Sequence, residues 1–330
     1  MKTILAILIL AVAPLSAAIE GVVRNGTTGR PEAGVSVALV KLEQGMVPVG
    51  SARSDAGGKF RFPQDVTGTP LMLRAEFEGV TYNQMIPPGS RTGDVGVTVY
   101  GASKTAIAPE QHILLLEPSG REMIVNEFFL YRNQAQPPVT YMDARQGTLR
   151  FYLPAAAKRI VQVSATGPGG MPLRAAAEKS GETDIYKVGF PIKPGENRIE
   201  LTYLMPYQSP LEFDVRTLYK GLTTRVAAPK GVALGGEGLE PLPENPQIKA
   251  SIYALPKAAS FKLSIAGEGR LARDREEGGE GSGETISVIP AAVHNQLWVI
   301  LGFAGAILAL GFYGLYTASG PKGPAPKRKS

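Results

Sequence analysis

The sequence contains no cysteine and only two histidines, His112 and His294. The absence of cysteine excludes disulfide bonds, thiolate nucleophiles and cysteine-ligated zinc. Two histidines are too few for a metal site built from several imidazoles, so we expect neither a metal nor a cofactor. Phosphate-binding loops are missing as well, because the glycine-rich residues 231–240 are not followed by Lys-Ser or Lys-Thr.

Residues for catalysis are equally scarce. A Ser-His-Asp triad would have to use His112, and a lone histidine in a strand is more commonly structural. Glu117 and Glu122 flank a Pro-Ser-Gly turn. Paired carboxylates hydrolyse glycosides, but solvated charges beside a hairpin turn are far more common. We therefore predict no catalytic residues and a protein that is not an enzyme, with a cryptic hydrolase using His112 as an alternative.

Tryptophan occurs once, at Trp298, inside a charge-free run at residues 297–316. At about 1.5 Å per residue, a helix of this length spans about 30 Å, the thickness of a bilayer core. Trp298 near one end and Tyr313 and Tyr316 near the other lie where aromatic belts form. The run therefore predicts a single transmembrane helix.

The charges on either side of this run predict its orientation. Residues 278–296 contain no Lys or Arg, whereas residues 317–330 contain four and no acid. By the positive-inside rule, residues 317–330 form a cytoplasmic tail and the long N-terminal portion lies outside. Because Lys2 and the tail hold five of the 35 basic residues, the outside portion has 30 against 29 acids. The net charge of +6 therefore does not predict nucleic-acid binding.

The N-terminus has the pattern of an export signal. Lys2 precedes an apolar run at residues 4–12, which Pro14 and the small residues 16–18 follow. This predicts a secretory signal peptide at residues 1–18, cleaved after Ala18. An uncleaved membrane helix is the alternative, for which the run is short. Together with the lack of disulfides, the signal favours an extracytoplasmic protein of the bacterial cell envelope.

Small residues follow one side of the predicted transmembrane helix. Gly302, Gly305, Ala306 and Ala309 recur at helical spacing. Such a stripe lets two helices approach closely, although small residues are also common in lone spans. Lateral association of this helix is therefore a hypothesis, which self-association of variants with Gly302→Leu and Ala306→Leu would test.

Alternation of apolar and polar residues dominates the outside portion. In LMLRAEFEG, residues 71–79, Leu71, Leu73, Ala75 and Phe77 fall on one side, and Met72 falls with the polar residues on the other. Gly and Pro separate many such runs, which is typical of an all-β fold. We predict tandem β-sandwich domains: one at residues 19–100, then an immunoglobulin-like or similar all-β region of one or two units at residues 106–266.

Three similar stretches in the second region end in Pro154, Pro206 and Pro256, at intervals of 52 and 50 residues. Repeated β units and chance recurrence of strand-Pro-strand corners explain this spacing equally well. Beyond them, residues 267–296 begin with a stretch rich in Gly and Glu that has few apolar residues. This stretch predicts a flexible tether between the folded part and the membrane.

The stretch SDAGGKFRF, residues 54–62, predicts a hairpin turn. The Asp55 side chain can accept hydrogen bonds from the backbone N–H groups that follow it, and Gly57 and Gly58 tolerate positive φ. A calcium loop would need several more oxygen ligands. Beyond the turn, alternation places Phe60 and Phe62 on one side of a strand.

This turn, together with IEGVV at residues 19–23, GRPEAGVSVAL at 29–39 and EGVTY at 78–82, resembles the carboxypeptidase regulatory-like domain. The resemblance implies a seven-stranded sandwich of the prealbumin (transthyretin-like) type. It implies no zinc and no catalytic glutamate, which belong to the peptidases that the domain accompanies. The remainder is more weakly similar to β domains of uncharacterised bacterial membrane-anchored proteins.

The strongest candidate for a partner surface is the aromatic stretch at residues 126–141. Strand alternation places Phe129 and Tyr131 on one face and Phe128 and Leu130 on the other, with Tyr141 further on. One face must pack on the core, and the other packs on the neighbouring domain or on a partner. Domain packing is the simpler explanation.

These observations predict a single-pass membrane protein whose ectodomain is a binding or accessory module. Its partner would be a protein or a glycan in the periplasm or at the cell surface. A carbohydrate-binding or adhesion module is the alternative, although Trp298 lies in the predicted span and a sugar platform would have to use Tyr or Phe.

Overall fold

The computed structural model describes residues 18–43, 45–63, 68–157, 161–243 and 250–271. Regular secondary structure in these ranges consists of strands, and none of the residues described there forms a helix that could cross a membrane. The predicted signal peptide (except Ala18), most of the tether, the span at 297–316 with its stripe, the tail and His294 lie outside the described residues.

Eight strands form an N-terminal unit of two facing sheets. They are β1 Ile19–Asn25, β2 Arg30–Pro31, β3 Ser36–Leu42, β4 Met46–Arg53, β5 Lys59–Phe62, β6 Leu71–Phe77, β7 Val80–Ile86 and β8 Val95–Val99. In one sheet, β1 pairs with β2 and β5 antiparallel and with β8 parallel. The other sheet has the antiparallel order β4-β3-β6-β7. One hydrophobic core, including Val37, Leu73 and Phe62, lies between the two sheets.

The SDAGGKFRF stretch is a turn, but it does not join a hairpin. Asp55 Oδ1 accepts the N–H groups of Gly57 and Lys59, each at 2.8 Å, and Gly58 has a φ of +74°. The flanking strands β4 and β5 belong to different sheets, so the turn carries the chain across the sandwich. The prediction of a hairpin was therefore wrong, because turn chemistry is local whereas strand pairing is not.

The β6 strand confirms the predicted alternation, with one exception. Leu71, Leu73 and Ala75 are buried in the core as expected. Met72 points to the other face, yet it is only 2 % exposed. Its register neighbours on that face are Val40 and Met85. Apolar neighbours on adjacent strands therefore shield a side chain that a single strand would leave in water.

Sixteen strands make up the described part of the second unit and its link to the first. They are β9 Ala102–Ser103, β10 Gln111–Ser119, β11 Glu122–Asn133, β12 Thr140–Tyr141, β13 Leu149–Tyr152, β14 Gln162–Thr166, β15 Leu173–Ala175, β16 Ala177–Lys179, β17 Ile185–Val188, β18 Gly195–Pro206, β19 Leu211–Arg216, β20 Thr223–Pro229, β21 Val232–Gly235, β22 Glu240–Pro241, β23 Ala250–Ala254 and, as the last of the described chain, β24 Ser260–Gly267.

The second unit is built on an eight-stranded sheet of order β15-β14-β18-β11-β10-β20-β23-β22. Two three-stranded sheets, β13-β17-β16 and β19-β24-β21, contribute to the same core. Their residues Phe151 and Leu263 belong to one continuous hydrophobic cluster with Leu114, Val125 and Leu201 of the large sheet. The described part of residues 106–266 therefore shares one core.

The three proline corners all mark changes of sheet. After Pro154 the chain passes from β13 in a small sheet to β14 in the large one. After Pro206 and Pro256 it passes from the large sheet, at β18 and β23, to β19 and β24. Proline cannot donate to a ladder, which suits a position where a strand leaves its sheet.

A polar contact joins the two units. β9 pairs with β12 in parallel, and Thr140 N–H donates to Gly101 O at 2.9 Å. The Tyr82 hydroxyl lies 2.8 Å from Thr140 Oγ1, and Lys193 Nζ donates to Thr81 O at 2.6 Å while lying over the Tyr82 ring. Burial raises the pKa of Tyr82 and lowers that of Lys193. The end of the stretch at 126–141 therefore packs on the neighbouring unit.

Candidate functional site

A cluster of titratable groups lies inside the second unit, on the inner face of the large sheet. His112 in β10, Glu127 in β11 and Tyr203 in β18 are 2 %, 5 % and 1 % exposed. His112 Nε2 lies 2.8 Å from Glu127 Oε2, and the Tyr203 hydroxyl donates to Glu127 Oε1 at 2.6 Å. His112 lies opposite Phe129, and Tyr203 lies opposite Val125. Because Phe129 and Val125 are each two residues away from Glu127 in β11, both His112 and Tyr203 are diagonal neighbours of Glu127 on the same face.

The surroundings of this cluster indicate that its side chains stabilise the fold in the observed conformation and do not contact a substrate. The His112 ring stacks on Phe129 at a centroid distance of 4.2 Å, and His112 Nδ1 has no hydrogen-bond partner among the described residues. Burial, followed by the nearby Glu127, raises the pKa of Tyr203 well above its ordinary value, so its hydroxyl stays a donor. A general base must reach the proton it abstracts. No substrate reaches a side chain this deeply covered without opening the sandwich.

The two carboxylates considered for glycoside chemistry lie in different environments. Glu117 is 6 % exposed, and its carboxylate accepts from Asn126 Nδ2 at 3.5 Å and from Leu271 N–H at 3.1 Å. Glu122 is exposed at the start of β11. The expectation that both are solvated was wrong for Glu117, because the chain after β24 folds back over it.

The aromatic residues predicted as a partner surface divide between the two faces of the sheet. Phe129 and Tyr131 are 3 % and 2 % exposed in the core, and Tyr141 is 6 % exposed. The Tyr131 hydroxyl donates to Thr148 O at 3.2 Å, and burial raises its pKa well above the ordinary value. Phe128 is half-buried on the opposite face. Of the four, Phe128 is the residue that faces away from the core.

Phe128 belongs to a larger apolar surface, which we call the apolar sheet face. Its side chains are half-buried, project from the outer side of the strands β18, β11, β10 and β23 of the large sheet, and belong to neither hydrophobic core. Ile113 lies opposite Phe128, and Ile124 lies opposite Leu204. The members are Ile113, Leu115, Ile124, Phe128, Leu130, Leu204 and Ile252.

The polar residues within this face are already paired. Thr202 Oγ1 donates to Asn126 Oδ1 at 2.8 Å, and Asn126 Nδ2 donates to Glu117 Oε1. The second oxygen of Glu117 accepts the Leu271 N–H. If another surface covers this face, the side chains of Thr202, Asn126 and Glu117 therefore keep their hydrogen bonds. A buried donor or acceptor without a partner would cost about 1–3 kcal/mol.

The amino-acid sequence alone did not predict most of this face or the hydrogen-bonding and stacking partners of His112. Ile113, Leu115, Leu204 and Ile252 reach it only through strand pairing. Glu127 carried a usable signal, because alternation places this acid on the same side as Phe129 and Tyr131. A charge on an otherwise apolar face indicates a buried partner.

Two other features have less chemical content. Within the described ranges, no group of three or more His, Asp or Glu side chains converges to hold a metal ion. A cavity of about 570 Å³ lies beside β13, β16 and β17, with Lys179, Asp184 and Tyr186 among its lining residues.

Comparisons with known proteins add little to this site. No family model and no curated protein matches the chain. Among solved structures, it is similar to the M1 zinc metallopeptidase from Deinococcus radiodurans at 13% identity and a TM-score of 0.28, covering 49% of this chain and 42% of that chain. It is also similar to BcpA, the major pilin subunit of Bacillus cereus, at 11% identity and a TM-score of 0.21, over 75% and 84% of the two chains. At such scores the likeness establishes neither a family nor an activity.

Proposed function

We propose that this protein is a non-enzymatic binding module of the bacterial cell envelope that presents the apolar sheet face to a protein partner. The observation that carries the proposal is the face itself, whose seven Ile, Leu and Phe side chains lie outside both hydrophobic cores. Contiguous apolar surfaces of this kind mark interaction sites. The sealed position of the His112–Glu127–Tyr203 cluster favours a binding function over hydrolysis.

The predicted export signal and span place this module outside the membrane, anchored at residues 297–316 with a cytoplasmic tail. The N-terminal unit is a prealbumin-like sandwich of the carboxypeptidase regulatory-like type. Its seven strands of four or more residues, in two sheets around one core, support this assignment. Its role is that of a spacer and support, because it docks on the binding unit through Tyr82 and Thr140.

The chemistry of the face favours a protein over a glycan. Six of its seven members are Ile or Leu, and Phe128 is the sole aromatic member. Sugar platforms use aromatic rings that stack on pyranose faces. Branched aliphatic side chains instead complement the apolar side chains of another protein.

The test compares Phe128→Glu with Leu218→Glu in the full chain. Leu218 is 41 % exposed and lies outside the apolar sheet face, so it controls for adding an acid at a surface leucine. Partners are captured by cross-linking in native membranes, and binding of each identified protein is then measured with purified components. We expect Phe128→Glu to weaken binding at least about tenfold, since a charge buried in an interface costs more than about 1.4 kcal/mol.

Equal affinity of the Phe128→Glu variant for every captured protein would overturn the proposed surface. Protease protection checks the location independently, because we expect residues 18–271 to be digested from the outside in spheroplasts. Protection of these residues would contradict the proposed location.

A further inference from the structure

One row of side chains crosses the apolar sheet face and carries opposite charges at its two ends. Phe128 in β11 lies opposite Glu200 in β18 on one side and opposite Ile113 in β10 on the other. Ile113 in turn lies opposite Arg225 in β20. Residues that lie opposite each other share one face of a sheet. The row therefore consists of an acid, two apolar residues and a base on four adjacent strands.

The two charges at the ends of this row have weak or neutral partners within one molecule. Glu200 Oε2 lies 3.7 Å from Arg198 Nη2, which is longer than a hydrogen bond. Arg225 Nη1 donates to the neutral Gln111 side chain at 2.9 Å, and Arg225 makes no ion pair among the described residues. Three strand spacings, about 14 Å, separate Glu200 from Arg225, so these two residues do not pair with each other in one chain.

A two-fold axis that runs along the strands, between β10 and β11, would bring these charges together in two copies. Such an axis turns the two faces toward each other and places β18 of one copy over β20 of the other. Glu200 then faces Arg225 of the second copy, and the contact recurs at the other end, because a two-fold interface is isologous. In the centre, Phe128 packs on Ile113 of the second copy. The facing sheets lie about 10 Å apart, which Glu and Arg side chains can bridge.

We infer that the partner of the apolar sheet face is a second copy of this chain, packed face to face about this axis. The inference rests on the proposed function, because it takes the same face as the binding surface and names its occupant. The adjacent rows fit the arrangement, since they place Leu130 over Gln111 and Thr202 over Ala227, and neither row brings like charges together. Two sheets packed at about −30° to each other form an ordinary aligned sandwich.

The size of the face predicts a dimer that forms and dissociates readily. From β14 to β23 the sheet is about 24 Å wide, counting its polar margin on β14. From residue 124 to residue 130 in β11 it is about 20 Å long. The contact therefore covers about 500 Å² on each copy and about 1,000 Å² in total, which is the lower limit of specific interfaces.

Charge reversal tests this symmetry in the full chain purified in detergent. In Glu200→Arg, two arginines face each other at both ends of the interface, and in Arg225→Glu two glutamates do. Each variant alone should self-associate at least about tenfold more weakly than the unchanged chain, because an interface disfavours like charges that face each other. An equimolar mixture of the two variants again places an acid opposite a base at both ends. Mixed dimers should therefore form with an affinity within about threefold of the original.

Energy transfer between donor-labelled and acceptor-labelled chains measures these dimers. Because the sequence has no cysteine, Ser264→Cys supplies one labelling site, exposed on β24 and away from the face. All chains also carry Gly302→Leu and Ala306→Leu, which remove any association through the small-residue stripe of the predicted span. The matched control is Glu212→Arg. Its side chain is 77 % exposed on β19, across the core from the face, so this reversal should leave self-association unchanged.

The mixture separates this inference from the alternatives, because mixing cannot reverse the misfolding of a single variant. Equal self-association of the unchanged chain and both variants would overturn the second copy as the partner. A mixture that stays as weak as its two components would overturn it as well. If Phe128→Glu nevertheless weakens binding of a different captured protein, the proposed function stands. If Phe128→Glu changes neither self-association nor the binding of any captured protein, the proposed function fails too.

Discussion

Removal of the Tyr203 hydroxyl tests whether a buried carboxylate organises the second unit. In Tyr203→Phe the ring stays in the core, but Glu127 loses a donor at 2.6 Å and keeps His112 as its hydrogen-bond partner among the described residues. A hydrogen bond to a charged group contributes about 1.5–3 kcal/mol net, against about 0.5–1.5 kcal/mol between neutral groups. We therefore expect the variant to lose about 2 kcal/mol of unfolding free energy.

The matched control is Tyr131→Phe. Tyr131 is as deeply buried in the same core, but its hydroxyl donates to the neutral carbonyl of Thr148 at 3.2 Å. We expect it to cost about 1 kcal/mol. Urea denaturation of the purified protein, followed by far-ultraviolet circular dichroism, measures both. The loss of about 2 kcal/mol corresponds to a fall in Tm of about 4–8 °C for a unit of this size.

A double-mutant cycle isolates the charge. In a Glu127→Gln background the acceptor is neutral, so Tyr203→Phe should cost only about 1 kcal/mol. The difference between the two backgrounds is the part of the hydrogen bond that depends on the carboxylate. If Tyr203→Phe costs the same in both backgrounds, Glu127 is not a buried anion stabilised by this hydroxyl, and the reasoning fails.

Three further predictions concern the turn, the contact between units and alkaline pH. Gly58→Ala should cost at least about 2 kcal/mol in denaturation, because the new methyl would lie 2.7 Å from a backbone carbonyl at positive φ, whereas Gly57→Ala should be nearly neutral. Burial lowers the pKa of Lys193, so at pH values between that lowered pKa and about 10.4 the unfolded chain binds one more proton at this lysine than the folded chain does. The free energy of unfolding should therefore rise with pH in this range. In a series of denaturation curves at increasing pH, Lys193→Met should abolish this rise. Because burial raises the pKa values of Tyr131 and Tyr203, the free energy of unfolding should fall above about pH 10. The absorbance at 295 nm that reports tyrosine ionisation should increase for these two residues only as the protein unfolds. Their ionisation in the folded protein would contradict their burial.

Local pattern predicted which residues form strands and which side of each strand is apolar. Phe60 and Phe62 lie in the core, as their alternation indicates. The partners of each strand could not be read in this way. The turn at Asp55 has the chemistry of a hairpin, yet it joins two sheets, because pairing depends on distant strands that compete for the same edges.

The candidate site was also predictable only in part, because strand alternation shows which residues share a face but not what that face packs against. Alternation separates Phe128 and Leu130 from Phe129 and Tyr131, but it cannot say which pair faces the core. That depends on which side of the sheet the strands β19 and β24 cover. The contact between Glu117 and Leu271 joins positions 154 residues apart, and composition had indicated only a flexible tether from residue 267 onward.

The central ladder between β10 and β20 has a consequence for biogenesis. These parallel strands pair residues 111–115 with residues 223–227, so 112 positions separate the two halves of the ladder. Ladders of such high contact order close slowly, and β10 keeps an open edge until the later strand has emerged. For the exported protein proposed above, this delay is an advantage, because translocation across a membrane requires an extended polypeptide. The same delay leaves the edge of β10 unpaired, so a chaperone that binds the unfolded chain should raise the yield of folded protein.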